Sequence, residues 1–340
     1  MGSRSDEATA KFLEEYADFL ESHVEAWTVT TEGTLVPGIK RHYIRILPSR
    51  IDDPHPVEDP NKGNLSIANH PPGAQNIFPG KEIVDAGFLQ LVRHGIRKAD
   101  DAVIVDSVRA VDATLKVDTP FGPCWHRYNH DGYGQREDGG AFEGWGTGRA
   151  WPLLTGERGH YELAAAHDVK PFIKALEGFG SIRGLLPEQV WDQPDRPDIY
   201  MRLGGPTGSA MPLIWAHAEY IKLLRSTFDG KVFDVIPEVA SPYLGKRGSH
   251  RQLEIWKLNR QTATVKRAYT LRILVPAPFR LHWSDDQWQT AQDTMSSSTA
   301  IGIEYVDIPV KASQKSPLHF TFFWKADSRW ENRDYVVAMA

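Results

Sequence analysis

Cysteine is almost absent from this 340-residue chain: Cys124 stands alone. That excludes an intramolecular disulfide framework and does not favour a thiolate metal cluster. Basic charge is not in excess either. With 39 Lys and Arg against 44 Asp and Glu the formal net charge is -5, and without long basic runs there is no footprint for nucleic acid. No apolar run approaches the length of a membrane span. The start, Met1-Gly2-Ser3-Arg4-Ser5, has no hydrophobic signal region, and the sequence assigns no compartment. His126, His130 and His160 lack zinc-ligand spacing. The glycines at 144, 146 and 148 have neither the preceding strand nor the Lys-Ser/Thr of a phosphate loop. Neither a metal nor any other cofactor is expected.

Tryptophan, by contrast, is plentiful, with 11 residues. Two segments concentrate the aromatic and polar chemistry. One runs from Trp125-His126-Arg127-Tyr128-Asn129-His130-Asp131-Gly132-Tyr133-Gly134 to Arg149-Ala150-Trp151-Pro152 and on to Tyr161. The other is Leu185-Leu186-Pro187-Glu188-Gln189-Val190-Trp191. Together they offer flat rings, forked guanidinium groups, flexible backbone and a carboxylate close to a tryptophan. That combination suits a neutral sugar, whose C–H faces stack on rings and whose hydroxyls take charged hydrogen bonds. Each residue also has a plainer reading. Glu188 after Pro187 fits the first turn of a helix, Arg127 can pair with Asp131 at the surface, and Trp151 and Trp191 can be core.

The pattern along the chain predicts helices over residues 6–26, 82–97, 99–115, 158–178 and 209–226, joined by long loops. A strand-like piece covers 42–47, and a proline-rich loop covers 48–79. In the last of these helices Met211, Ile214, Ala218 and Ile221 form the apolar stripe. Trp215, Glu219 and Lys222 form another, which faces a polar cavity or solvent. After about residue 264 the period changes to two, as in Tyr269, Leu271, Ile273 and Val275, or Phe279, Leu281 and Trp283. This predicts antiparallel strands. The expected division is a mainly α region over 1–263 and a small β appendage over 264–340.

The strings Arg127-Tyr128-Asn129-His130-Asp131-Gly132-Tyr133-Gly134, Arg149-Ala150-Trp151-Pro152-Leu153-Leu154-Thr155-Gly156-Glu157-Arg158-Gly159-His160-Tyr161-Glu162 and Pro187-Glu188-Gln189-Val190-Trp191-Asp192 resemble the bacterial and archaeal branch of the glucoamylase family, glycoside hydrolase family fifteen. The string Phe279-Arg280-Leu281-His282-Trp283-Ser284, with Trp288, extends the resemblance to the tail. The resemblance implies an (α/α)6 barrel, of which this chain would supply the C-terminal part. It also implies an inverting exo-acting α-glucosidase that releases β-D-glucose from α-glucan or maltooligosaccharide ends. Glucodextranase and trehalase belong to the same family and remain alternatives.

Carried onto this sequence, the resemblance makes Glu188 the general base. It gives Arg127, with Tyr128 beside it, to the innermost sugar and matches Trp215 to a family tryptophan after the base; Trp151, as a sugar platform, and Trp191, as a wall of the base pocket, are candidates by position, with core as the alternative for each. The family acid lies in a Trp-Glu-Glu segment, and this chain has none. Arg329-Trp330-Glu331-Asn332 looks alike but falls in the β tail. A chain with the base but not the acid is expected to need an N-terminal half-chain or to self-associate. The reading from another class is a non-catalytic glucan-binding remnant.

Overall fold

The computed structural model describes residues 2–245 and 251–340, with side chains from residue 7 onward. Helix α1 (Gly2–Thr28) runs into β1 (Val29–Thr30), which pairs antiparallel with β2 (His42–Tyr43). Strands β3 (Asn64–Ser66) and β4 (Ile77–Pro79) form a hairpin inside the proline-rich loop. Helices α2 (Leu89–Arg93) and α3 (Ala102–Leu115) precede the hairpin of β5 (Lys116–Thr119) and β6 (Gly122–Trp125). Helices α4 (Pro152–Ala164), α5 (Lys170–Phe179), α6 (Ile214–Asp229) and α7 (Pro237–Leu244) follow.

The remaining strands are β7 (Leu253–Lys257), β8 (Thr264–Val265), β9 (Thr270–Val275), β10 (Phe279–Ser284), β11 (Gln292–Met295), β12 (Ser297–Ser298), β13 (Glu304–Pro309), β14 (Leu318–Trp324), β15 (Arg329–Trp330) and β16 (Tyr335–Met339). They make two sheets, one ordered β11-β10-β14-β16-β8 with β15 beside β14, the other β12-β13-β9-β7. The expectation of purely antiparallel pairing is corrected in two places. Strand β7 runs parallel to β9, and β8 parallel to β16. The chain reaches β9 from β7 by way of β8 in the other sheet, and such a crossover brings the two strands side by side in the same direction.

Two compact units emerge: Met1–Val24, Ser49–Val57 and Ser249–Ala340 form one, and Glu25–Pro48 with Glu58–Gly248 form the other. The division therefore does not follow residue 263. The strands begin at Leu253, and the start of α1 groups with them. In this strand unit Leu271, Ile273, Phe279, Leu281, Phe320 and Phe322 share one core between the sheets. Arg272, on the opposite side of β9, is buried too, because α1 covers it. Its guanidinium donates to Glu15 at 2.6 Å and to Asp307 at 2.7 Å, and Phe12 lies 5.2 Å from Tyr305 with the rings tilted by 38°.

In the helical unit α4 packs against α2, α5, α6 and β6. The helix expected over 158–178 is two helices. The first begins earlier, with Pro152 in its first turn, where a missing N–H costs nothing. It ends before Ala166, whose φ of 58° leaves the helical region. Gly156 lies inside α4 because α6 comes so close: a Cβ there would sit 2.6 Å from Glu219 Cγ. The helix expected over 82–97 shrinks to α2. Residues 83–85 are extended, because their backbone groups pair elsewhere. Val84 N–H donates to Asn129, Ile83 C=O accepts from Arg45, and Asp85 bridges Tyr128. Helix α6 is turned over relative to its expected stripe. Ala216, Glu219, Leu223 and Ser226 face inward, and Ile221 is 63% exposed. An ion pair and a close contact with α4 decide the orientation, and greasiness does not.

Candidate active site

The loop from Trp125 to Trp151 is closed at its base, where Trp151 N–H donates to the Trp125 carbonyl at 2.8 Å. Within it Arg127 and Asp131 form a forked pair. Nε donates to Oδ2 at 2.8 Å and Nη2 to Oδ1 at 2.9 Å, and Asp131 is buried. Asp131 also accepts the Tyr133 N–H at 2.9 Å, and Gly148 must be glycine because a Cβ would sit 2.5 Å from the Asp131 Cβ. The guanidinium is packed among rings, with its carbon 5.3 Å from the Tyr128 centroid and 4.9 Å from both Tyr133 and Trp151. Burial would lower the Arg127 pKa, but the Asp131 carboxylate raises it, so the group stays cationic. Two of its donors are spent on Asp131. Nη1 has no partner among the described residues, and Arg127 remains half-buried and reachable.

Glu188 does not start a helix, contrary to the plainer sequence reading. It sits at a bend in a non-helical segment whose backbone bonds go sideways. Leu186 N–H donates to His217 Nε2, Glu188 N–H to the Ala210 carbonyl, Gln189 N–H to Ser209 Oγ and Val190 N–H to the Ala150 carbonyl. A segment held at every residue presents its carboxylate in one place. The Glu188 pKa is raised by burial and pulled back by the charge of Arg127 and by the Ala210 N–H. The two strongest expectations from sequence are therefore electrostatic neighbours, although 61 positions separate 127 from 188.

The other expected residues scatter. Tyr128 is sandwiched between Arg127 and Arg45, whose guanidinium carbon lies 4.0 Å from its ring centre. Trp151 is only 5% exposed, and its indole N–H is buried without a hydrogen-bond partner among the described residues. Trp191 is 1% exposed and has no open face. Arg149 covers the ring at 4.3 Å, and its N–H donates to the Pro194 carbonyl. The expectation of direct sugar contact at Trp191 is thus corrected, since the ring backs the Arg149–Asp192 pair that ties the two loops together at 2.7 Å. Trp215, in the first turn of α6, is 58% exposed, and its ring makes no aromatic or cation–π contact among the described residues.

Several contributors escaped the sequence reading or entered it only faintly. Arg45 holds Asp85 at 2.9 Å, and burial raises the Asp85 pKa despite that partner. Arg93 of α2 donates to Glu219 at 2.8 Å and to Asp234 at 2.6 Å, and His160 Nδ1 lies 2.9 Å from the same Glu219. Burial would raise the Glu219 pKa, but His160 and Arg93 together lower it. Glu157 of α4 has no ion-pair or hydrogen-bond partner among the described residues. Burial first, then the charges of Glu219 and Asp85, push its pKa up to about 7. No periodicity or spacing signals these links, which join α2, α4 and α6. A separate cavity of about 920 Å³ lies at the other ends of α4 and α6, near Leu163, His167, Arg225 and Lys231, and none of the expected site residues lines it.

The family model for glycosyl hydrolases family 15 matches residues 3–225. A glucoamylase from Clostridium sp. (strain G0005) is 43% identical over 242 residues, covering 71% of this chain and 31% of the relative. The crystal structure of a bacterial glucoamylase complexed with acarbose is similar at 42% identity with a TM-score of 0.61. That match covers 69% of this chain and 32% of that one. The chain thus spans about a third of the length of the relatives it matches.

Proposed function

Because the chain belongs to glycosyl hydrolase family 15, we propose that it carries the base side of an inverting, glucoamylase-like α-glucosidase site. The observation that carries this reading is that Glu188, on a clamped non-helical segment, lies within the electrostatic reach of Arg127, a guanidinium locked by Asp131 among three rings. The Nη1 edge of Arg127 is suited to adjacent hydroxyls of the innermost sugar. The unpaired indole N–H of Trp151 is a second donor, and exposed Trp215 is a platform for a C–H face.

In this mechanism Glu188, ionised, removes a proton from a water beneath the anomeric carbon. The C–O bond to the leaving group breaks as the water oxygen bonds from the opposite face, and a second, protonated carboxyl delivers its proton to the departing oxygen. The two carboxyls of an inverting site stand about 6.5–9.5 Å apart, which leaves room for the water. The acid comes from a segment outside this sequence, and the helical unit forms part of an (α/α)6 barrel. The lack of a Trp-Glu-Glu string in this sequence supports the first point, and the likeness to the acarbose-bound glucoamylase is in keeping with the second. The chain alone should therefore hydrolyse maltooligosaccharides feebly. One observation favours a second reading with the acid inside this chain: Glu157, with its pKa raised by burial to about 7, is still about half protonated at neutral pH.

The deciding experiment is Glu188→Gln in a complete, active form of the protein. Loss of general-base catalysis should lower turnover roughly 10²–10⁴-fold while maltooligosaccharide still binds. Wild-type turnover in that variant would remove Glu188 from the mechanism.

A further inference from the structure

Tyr128 has a second guanidinium against it. Arg45 leaves β2 through a stretch whose backbone is tied to two other segments. Ile44 N–H donates to the Thr28 carbonyl and Arg45 N–H to the Ile83 carbonyl, both at 2.8 Å. The Arg45 guanidinium carbon lies 4.0 Å from the Tyr128 ring centroid, and Nη1 donates to Asp85 Oδ2 at 2.9 Å. Asp85 is no loose partner. Its other oxygen accepts the Gly87 N–H at 2.9 Å, and its backbone bridges that of Tyr128. Asn129 locks the same junction, accepting the Val84 N–H at 2.9 Å and donating to the Glu82 carbonyl at 2.7 Å.

Arg45 thus repeats the arrangement of Arg127. In each, a carboxylate that also holds a backbone N–H fixes part of the fork, and an aromatic ring packs against the guanidinium. The difference is how much of the fork is spent. Arg127 turns two nitrogens onto both oxygens of Asp131, whereas Arg45 gives Asp85 one nitrogen. A guanidinium whose whole work was to neutralise a carboxylate would take the forked geometry, which is the stronger. Nε and Nη2 of Arg45 have no hydrogen-bond partner among the described residues, and the side chain is 37% exposed. Donors fixed in place and left uncommitted point to a ligand with oxygens to offer.

The two arginines share one ring, at 4.0 and 5.3 Å from its centroid, so they stand no farther apart than the ends of a disaccharide. Of the two, Arg127 is the cation whose charge acts on Glu188. Arg45 therefore stands farther from the bond that breaks. We propose that Arg45 is a substrate-binding residue that hydrogen-bonds the hydroxyls of the second sugar of an α-glucan end, beside the sugar held by Arg127, and so favours chains over free glucose. The proposal rests on the reading of the Glu188 cleft above.

The test is titration of the full chain with glucose, maltose and maltotriose, followed by calorimetry, with thermal unfolding as the check on folding. Arg45→Ala should weaken maltose and maltotriose about tenfold, the scale of one charge-assisted hydrogen bond, and leave glucose unchanged. Arg45→Met, which keeps an apolar stem against Tyr128 without a donor, should show the same loss. Equal losses for glucose and maltotriose would overturn the proposal, since they would make Arg45 a support for Tyr128 and Arg127. Recovery of maltotriose binding in Arg45→Met would overturn it too, as would wild-type affinity that does not rise from glucose to maltose. An error in the cleft reading shows separately, as unchanged glucose binding in Arg127→Ala.

Discussion

Glu157 offers the sharpest test of the electrostatics of the helical unit. It is a carboxyl of α4 without a hydrogen-bond or ion-pair partner among the described residues, and burial first, then the charges of Glu219 and Asp85, raise its pKa from 4.5 to about 7. In the unfolded chain it ionises near 4.5; in the folded chain it keeps its proton until about pH 7. Below pH 4.5 both states are protonated and the residue is neutral in its effect. Between 4.5 and 7 the unfolded state releases a proton that the folded state retains, so stability falls as pH rises, and above 7 the full penalty is in place. At about 1.4 kcal/mol per pH unit, the penalty approaches ~3 kcal/mol. Glu157→Gln, neutral at every pH, removes it. Urea unfolding of wild type and variant should coincide at pH 4 and differ by about 3 kcal/mol at pH 8, with Gln the more stable. Equal stabilities at pH 8, or a Gln variant less stable at both values, would refute the burial of Glu157 without a compensating charge.

Other outcomes follow from burial and geometry. In a complete, active form the sugar released from an α-linkage should appear first as the β-anomer, which early-turnover proton NMR distinguishes; initial α-glucose would mean a retaining route. Trp191→Ala should cost about 3–5 kcal/mol, the usual range for a fully buried tryptophan, whereas Trp215→Ala, 58% exposed, should leave the melting temperature nearly unchanged and weaken maltooligosaccharide binding. Glu219→Gln should destabilise, by less than the roughly 3–5 kcal/mol of a fully orphaned buried charge, because Arg93 loses one carboxylate but keeps Asp234 while His160 loses its partner. Chemical unfolding reads all three stabilities.

Composition and local strings carried much of this protein. The lone cysteine excluded a disulfide framework, the tryptophan supply suited a sugar, and the order of the Arg127, Trp151 and Glu188 strings pointed to the family that the matched model shows over residues 3–225. Period-two alternation marked β9, β10 and β14 because one face of each strand must be apolar to meet the other sheet. Packing across the chain decided the rest. Gly156 falls just before the expected helix over 158–178 until α6 is seen lying against it, and Ile214 and Ile221 read as core until Glu219 is seen holding Arg93 and His160. Trp191 and Trp215 look equivalent as letters, yet one is sealed under Arg149 and the other stands open. Such outcomes depend on partners far away in sequence. Local periodicity records which face could be buried, and only the folded chain settles which one a charge pair or a neighbouring helix claims.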